Sequence, residues 1–120
     1  MVNTSEHEAA VRAYYEYVDA EAYEELFALF TDDIIYHRPG HEPIEGKAAF
    51  EQFYHEVRDL EDGTHTIHEL VVDGDTIAVR GGFEGQIHGG SITLEFADFH
   101  TFNSDGKIHT RHTFTDQGSV

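Results

Sequence analysis

The chain has 120 residues, with 24 Asp plus Glu against 7 Lys plus Arg and a formal net charge of −17 with histidine neutral. That balance excludes non-specific nucleic-acid binding, whose affinity comes from Lys and Arg neutralising phosphates, and an anionic membrane surface would repel the chain for the same reason. Without any Cys it can build neither a disulfide framework nor a thiolate metal site.

The length suits a single domain, residues 1–120, able to bury one core. Nine Phe and six Tyr at regular spacing separate it from disordered acidic chains. Many acids beside only Lys47 and Lys107 suggest a salt-adapted, halophilic protein, in which high salt screens self-repulsion. Met1 to Glu8 is polar and acidic, and no run reaches the length of a membrane span, so a cytoplasmic protein is expected.

The first helix is expected to start at Ser5, where Ser5 and Glu8 form a capping box. Val11, Tyr14, Tyr15 and Val18 follow at helical spacing. A second helix is expected from Glu21 to Phe30 with Ala22, Leu26, Leu29 and Phe30 buried, then a short strand from Ile34 to Arg38 closed by Pro39-Gly40. A third helix begins after Gly46 and buries Phe50, Phe53, Tyr54 and Val57. Thr64 to Val72 and Thr76 to Glu84 read as strands flanking Asp73-Gly74-Asp75, a hairpin signal. Gly89-Gly90 gives another turn, Ser91 to Phe102 a long strand, and Asn103-Ser104-Asp105-Gly106 a turn into Lys107 to Thr115. Asp116 to Val120 is expected to fray. Early helices and late strands argue an α+β domain in the order ααβαββββ, with a curved antiparallel sheet over the helices.

Several motifs fail. Gly40 to Lys47 has five residues between its glycines and Ala48 where a phosphate loop needs Ser or Thr. His65/His68 and His109/His112 are three apart on strands, so each pair splits between faces and no metal site is expected. His7, His41, His55 and His65 read as solvated surface groups. No Gly-x-Ser-x-Gly nucleophile turn is present.

The long strand carries the informative row: Ile92, Leu94, Phe96, Asp98, His100 and Phe102 alternate onto one face. A carboxylate on so apolar a face must be paired, hydrogen-bonded or protonated. A three-residue loop Ser104-Asp105-Gly106 pairs Asn103 with Lys107 and sets Phe102 opposite Ile108, His100 opposite Thr110, Asp98 opposite His112 and Phe96 opposite Phe114. That register keeps Ile108 and Phe114 inward and is the one expected. A four-residue loop would instead oppose Asp98 to Arg111 and turn both apolar residues outward. The pair is either a satisfied buried ion pair or a tuned acid/base site.

The element order, "LFALFTDDIIYHRPG", Gly46 before the third helix and the "ADFHTFNSDGKI" hairpin resemble the NTF2-like superfamily, in particular its SnoaL-like and ketosteroid-isomerase-like branch. The resemblance spans nearly the whole chain and implies a cone-shaped, cystatin-like fold with an apolar pocket at its open end. In steroid isomerases a first-helix Tyr and a late-strand Asp, kept protonated by its apolar site, polarise the substrate carbonyl. Tyr14 and Asp98 fall at those positions. Arg38 stands where those isomerases carry their carboxylate base, and it cannot act as one.

Tyr14, Asp98, His112 and His100 are therefore the candidate catalytic residues, the histidines moving the proton. Tyr36, His37, Arg38, Phe53, Val79, Phe83, Phe96 and Phe102 are the candidate pocket lining. Two readings stay open. One is a cofactor-independent isomerase, dehydratase or cyclase acting on a small apolar carbonyl compound. The other is a non-catalytic ligand-binding or dimerisation module, pairing as a homodimer through the sheet face of Ala97, Phe99 and Thr101. The expected partners include neither nucleic acid nor membrane.

Overall fold

Apolar spacing builds the first helix, α1 (Thr4–Ala20). His7, Val11, Tyr14, Tyr15 and Val18 share one stripe and are all buried. Ser5 lies inside this helix and so does not stand before it as the expected cap. The helix stops because Glu21 turns left-handed (φ 55°). Its N–H bonds Val18 O at 3.1 Å and the Ala22 N–H bonds Tyr17 O at 2.9 Å, the double closure of a Schellman end. This computed structural model describes residues 4–57, 60–87 and 90–116.

The second helix, α2 (Tyr23–Phe27), is shorter than expected. Phe30 already opens strand β1 (Phe30–His37), and Leu29 O accepts the Ile108 N–H at 2.8 Å. Strand pairing thus takes the groups that further helix would have used. The short β2 (Ile44–Glu45), absent from the expected order, pairs back on β1. Gly46 adopts φ 90°, open only to glycine at little cost, and α3 (Lys47–Gln52) starts directly after it. α3 passes into a π-helical turn, Phe53–Val57. The wider turn brings the consecutive residues Phe53 and Tyr54 both into the core.

Four long strands follow: β3 (Leu60–Asp73), β4 (Thr76–Ile87), β5 (Gly90–Phe102) and β6 (Ile108–Thr115). Gly74-Asp75 closes the β3–β4 hairpin, and Gly90 pairs with Ile87; the Gly89 half of the second expected turn lies outside the described residues. The sheet order is β2-β1-β6-β5-β4-β3. Every pairing is antiparallel except β1 with β6, which is parallel, a departure from the all-antiparallel expectation. Three helices on this curved sheet make the expected α+β cone. Asp116 is not frayed: its N–H bonds Glu95 O at 3.1 Å and its carboxylate accepts the Glu95 N–H at 2.9 Å.

The β5–β6 hairpin decides what faces the core. Its turn is the expected one: Gly106 is left-handed (φ 79°), the Asn103 N–H bonds Lys107 O at 2.9 Å, and Phe102 pairs with Ile108. One step on, a bulge shifts the register, so that Thr101 pairs with Thr110, His100 with Arg111, Phe99 with His112 and Asp98 with Thr113. His109 is the additional residue. The expected Asp98–His112 and Phe96–Phe114 pairs are thereby overturned, because a one-residue offset turns a strand over. Ile108, Arg111 and Thr113 are buried, while His112 and Phe114 face solvent.

Candidate active site

Asp98 lies fully buried on the inner face of β5, beside Val79 of β4 and Thr113 of β6. Three donors hold it: Tyr15 Oη to Oδ2 at 2.5 Å, Arg111 Nη2 to Oδ2 at 3.0 Å, and Thr113 Oγ1 to Oδ1. Burial alone would raise its pKa. The Arg111 guanidinium, then His100, Thr113 and Tyr15, outweigh burial and hold it below the ordinary carboxylate value. Asp98 is thus a carboxylate that only accepts, which corrects the protonated donor role implied by the steroid-isomerase likeness.

Arg111 is buried between two aromatic rings, its guanidinium carbon 4.5 Å from the Tyr14 centroid and 4.4 Å from the Tyr36 centroid. Nη1 donates to Tyr54 Oη at 3.3 Å, and Tyr54 shares a short hydrogen bond with Tyr14. Tyr14 therefore meets Tyr54, and its neighbour Tyr15 takes Asp98. Tyr36 Oη lies 3.4 Å from Thr113 Oγ1. Burial pushes the phenols of Tyr14, Tyr15 and Tyr36 up, so they stay protonated and can donate.

His100 is fully buried, with Nε2 3.1 Å from Tyr15 Oη. The Tyr15 proton is given to Asp98, so His100 donates from Nε2 and its Nδ1 meets no hydrogen-bond partner among the described residues. Burial brings its pKa down to about 4, with Asp98 opposing and Arg111 reinforcing the shift. His100 is neutral at ordinary pH.

Tyr14, Tyr36, Asp98 and His100 thus meet in one buried cluster. Phe53 stands against it through Tyr36 (centroids 5.8 Å apart) and Phe96 through Tyr15 (5.5 Å). Arg38 rests its guanidinium carbon 4.3 Å from the Phe53 centroid. Phe83 is buried beside His65, whose ring also stands 5.4 Å from that of Tyr15, and Phe102 stacks on His7 at 4.1 Å. His112 is removed from the candidate site: it lies on the outer face, stacked on His37 at 4.8 Å and Phe114 at 4.5 Å. His37 faces the same way, as strand alternation requires.

Tyr15, Tyr54, Arg111 and Thr113 join the cluster without having been singled out in the sequence. Tyr15 had a signal, since it shares the helical stripe with Val11 and Val18. Arg111 had one only in the register set aside above, which opposed it to Asp98, and Thr113 had none; in the structure the bulge turns both inward. Two histidines expected at the surface are also corrected: His7 is 1 % exposed, and the His65 side chain is 9 % exposed and bonded to Asp19. A separate groove of about 250 Å³ runs over Thr64, Thr66, His68, Gly82, Phe83, Glu84, Thr93, Leu94 and Glu95. Among the described residues no three His, Asp or Glu side chains converge as a metal site would need.

Residues 11–111 match the family described as the SnoaL-like domain. An NTF2-like protein of unknown function from Exiguobacterium sp. 255-15 is 27% identical, with a TM-score of 0.79 over 89% of this chain and 98% of that one. An LEH-like epoxide hydrolase of M. tuberculosis is 18% identical, with a TM-score of 0.83 over 94% and 84% of the two chains. SalBIII, an epoxide hydrolase/cyclase-like enzyme in pyran ring formation in salinomycin, is 21% identical, with a TM-score of 0.84 over 100% of both. No curated protein matches the chain. The matched stretch runs from the middle of α1 to Arg111, and the chain belongs to the SnoaL-like family.

Proposed function

We propose that the chain takes a small, largely apolar molecule bearing a carbonyl or hydroxyl oxygen into the cone and moves a proton on it by acid/base chemistry, as an isomerase, dehydratase or cyclase does. The observation that carries this reading is the buried Arg111–Tyr54–Tyr14 hydrogen-bond group. A guanidinium donating into a phenol pair makes those hydroxyls stronger donors to an oxygen that gains negative charge, and a low-dielectric site magnifies the effect. Tyr36, Phe53, Val79 and Phe96 supply apolar wall around it. No group in this mechanism calls for a cofactor. A non-catalytic binding module is the second reading, and it is favoured by one observation: three donors already occupy Asp98.

2-Naphthol separates these readings, because its fluorescence distinguishes neutral from ionised bound forms. The expected result is binding with an ionised fraction larger than in buffer of the same pH. Tyr54→Phe should reduce that ionised form roughly tenfold, the worth of one charge-assisted hydrogen bond. Binding of neutral naphthol alone would favour the module, and absence of binding would overturn both.

The outer sheet face completes the proposal as a contact for a second copy. Phe99 is 44% and Phe114 48% exposed, and Ala97, Thr101 and His112 beside them bring no carboxylate, in a chain with 24 acids. Two copies of an acidic, salt-adapted chain would pair there best when salt screens their repulsion. Size-exclusion chromatography should show the dimer fraction rising from dilute buffer to molar KCl and falling with Phe99→Glu. A monomer throughout would exclude the pairing.

A further inference from the structure

Two of the ten histidines meet on the outer sheet face. His37 and His112 are Cα partners in the parallel β1–β6 pairing, and their rings stack with centroids 4.8 Å apart and planes 28° from parallel. Phe114 also stacks on the His112 ring, at 4.5 Å and 15°. Stacking engages the faces of these rings, whereas their nitrogens lie in the edges. Among the described residues no hydrogen bond or ion pair takes a ring nitrogen of either histidine.

Local structure builds the pair from both strands. Ordinary alternation sends His37 outward beside the inward Tyr36. The bulge at His109 sends His112 the same way, where a regular strand from Ile108 would have turned it inward. One cross-strand row then runs through His37, His112, Phe99, Ala78 and Val71. Phe99 is 44% and Val71 54% exposed, and the row holds no carboxylate.

We propose that His37 and His112 are half of a transition-metal site that a second copy of this chain completes; this rests on the outer-face pairing described above. Zinc in a structural site takes four ligands in a tetrahedron, with imidazole nitrogens at about 2.0–2.1 Å. One chain supplies two, and among the described residues no third His, Asp or Glu joins them. An ion on the axis of a two-fold symmetric pair receives every ligand twice, so two imidazoles from each copy make four. Neighbouring strands lie about 4.8 Å apart, a span that two imidazole side chains can close onto one ion. Without Cys, imidazole is the strongest zinc ligand this chain has. Magnesium and calcium prefer oxygen ligands and do not compete for it. The net charge of −17 draws divalent cations to the surface and makes two copies repel; an ion held between them offsets that repulsion where they touch.

The test is zinc titration of the full chain after EDTA treatment, with equilibrium dialysis for stoichiometry and sedimentation for mass. One zinc per two chains is expected, with a dimer fraction that rises with zinc and falls again on adding EDTA. His37→Gln and His112→Gln should each weaken zinc binding at least about tenfold, the smallest loss usual even for groups that only support a ligand, and remove the zinc-dependent dimer. His41→Gln, at an exposed histidine elsewhere, should change neither. Cobalt(II) in place of zinc should give the intense visible bands of tetrahedral coordination, where octahedral coordination gives faint ones. One zinc per chain on a monomer, zinc binding that survives both substitutions, or no binding would each overturn the proposal. Sedimentation in EDTA and molar KCl tells that failure from failure of the pairing itself. A dimer there that zinc leaves unchanged overturns the metal bridge alone, and a monomer in every condition overturns both.

Discussion

Asp98→Ala is expected to destabilise the fold by about 3–5 kcal/mol, the cost of leaving a buried charge without its partner. Arg111 would remain enclosed by the rings of Tyr14 and Tyr36, and the hydroxyls of Tyr15 and Thr113 would lose their acceptor. Arg111→Met should cost a similar amount by stranding the carboxylate. The double variant should recover a large part of the loss, because replacing both members of a buried pair by apolar groups is often near neutral. Asp98→Asn should fall between, since its amide oxygen still accepts while its charge is gone. Urea denaturation of the four chains gives the cycle. Single losses below about 1 kcal/mol, the range of exposed pairs, would contradict the buried geometry.

Stability should also fall as the pH drops through the window set by His100. The folded-state value of about 4 lies below the ordinary 6.5. Between the two, the unfolded chain binds a proton at His100 that the folded chain refuses, so the fold loses about 3 kcal/mol as pH falls from 6.5 towards 4. The contribution is fully present above pH 6.5. Asp98 acts in the same direction at lower pH, because its depressed carboxyl stabilises the fold above the unfolded carboxylate value and ceases to do so as pH drops through the folded one. Protonation of surface acids works oppositely by relieving repulsion, and molar KCl suppresses that effect. Urea midpoints in KCl across this window should therefore slope downward in the wild type and flatten in His100→Gln. An equal slope in both would remove His100 as the cause.

Features written in adjacent residues were legible in the sequence. The α1 stripe, the glycine opening α3, the Asn103–Gly106 turn and the alternation that sets Asp98 and His100 inward all depend on near neighbours. What was illegible depends on distant ones. α2 ends where Ile108, far along the chain, claims Leu29 O. Tyr14 and Tyr15 both face inward, and which of them meets Asp98 depends on how α1 sits against β5. His65 looks solvated until Asp19 is brought to it. The expected register leaves Arg111 and Thr113 off the inner row, because His109 bulges without a glycine or proline to announce it.

That bulge has a bearing on how relatives should be compared. Removing His109 would leave the pairs Phe102–Ile108, Thr101–Thr110 and Asp98–Thr113 as they are and merely make the strand regular. An alignment of family members that counts forward from the hairpin turn would therefore set this chain's Arg111 and Thr113 one place out of step in any relative lacking the additional residue. One that counts backward from Thr115 would superpose them, so a gap belongs at His109.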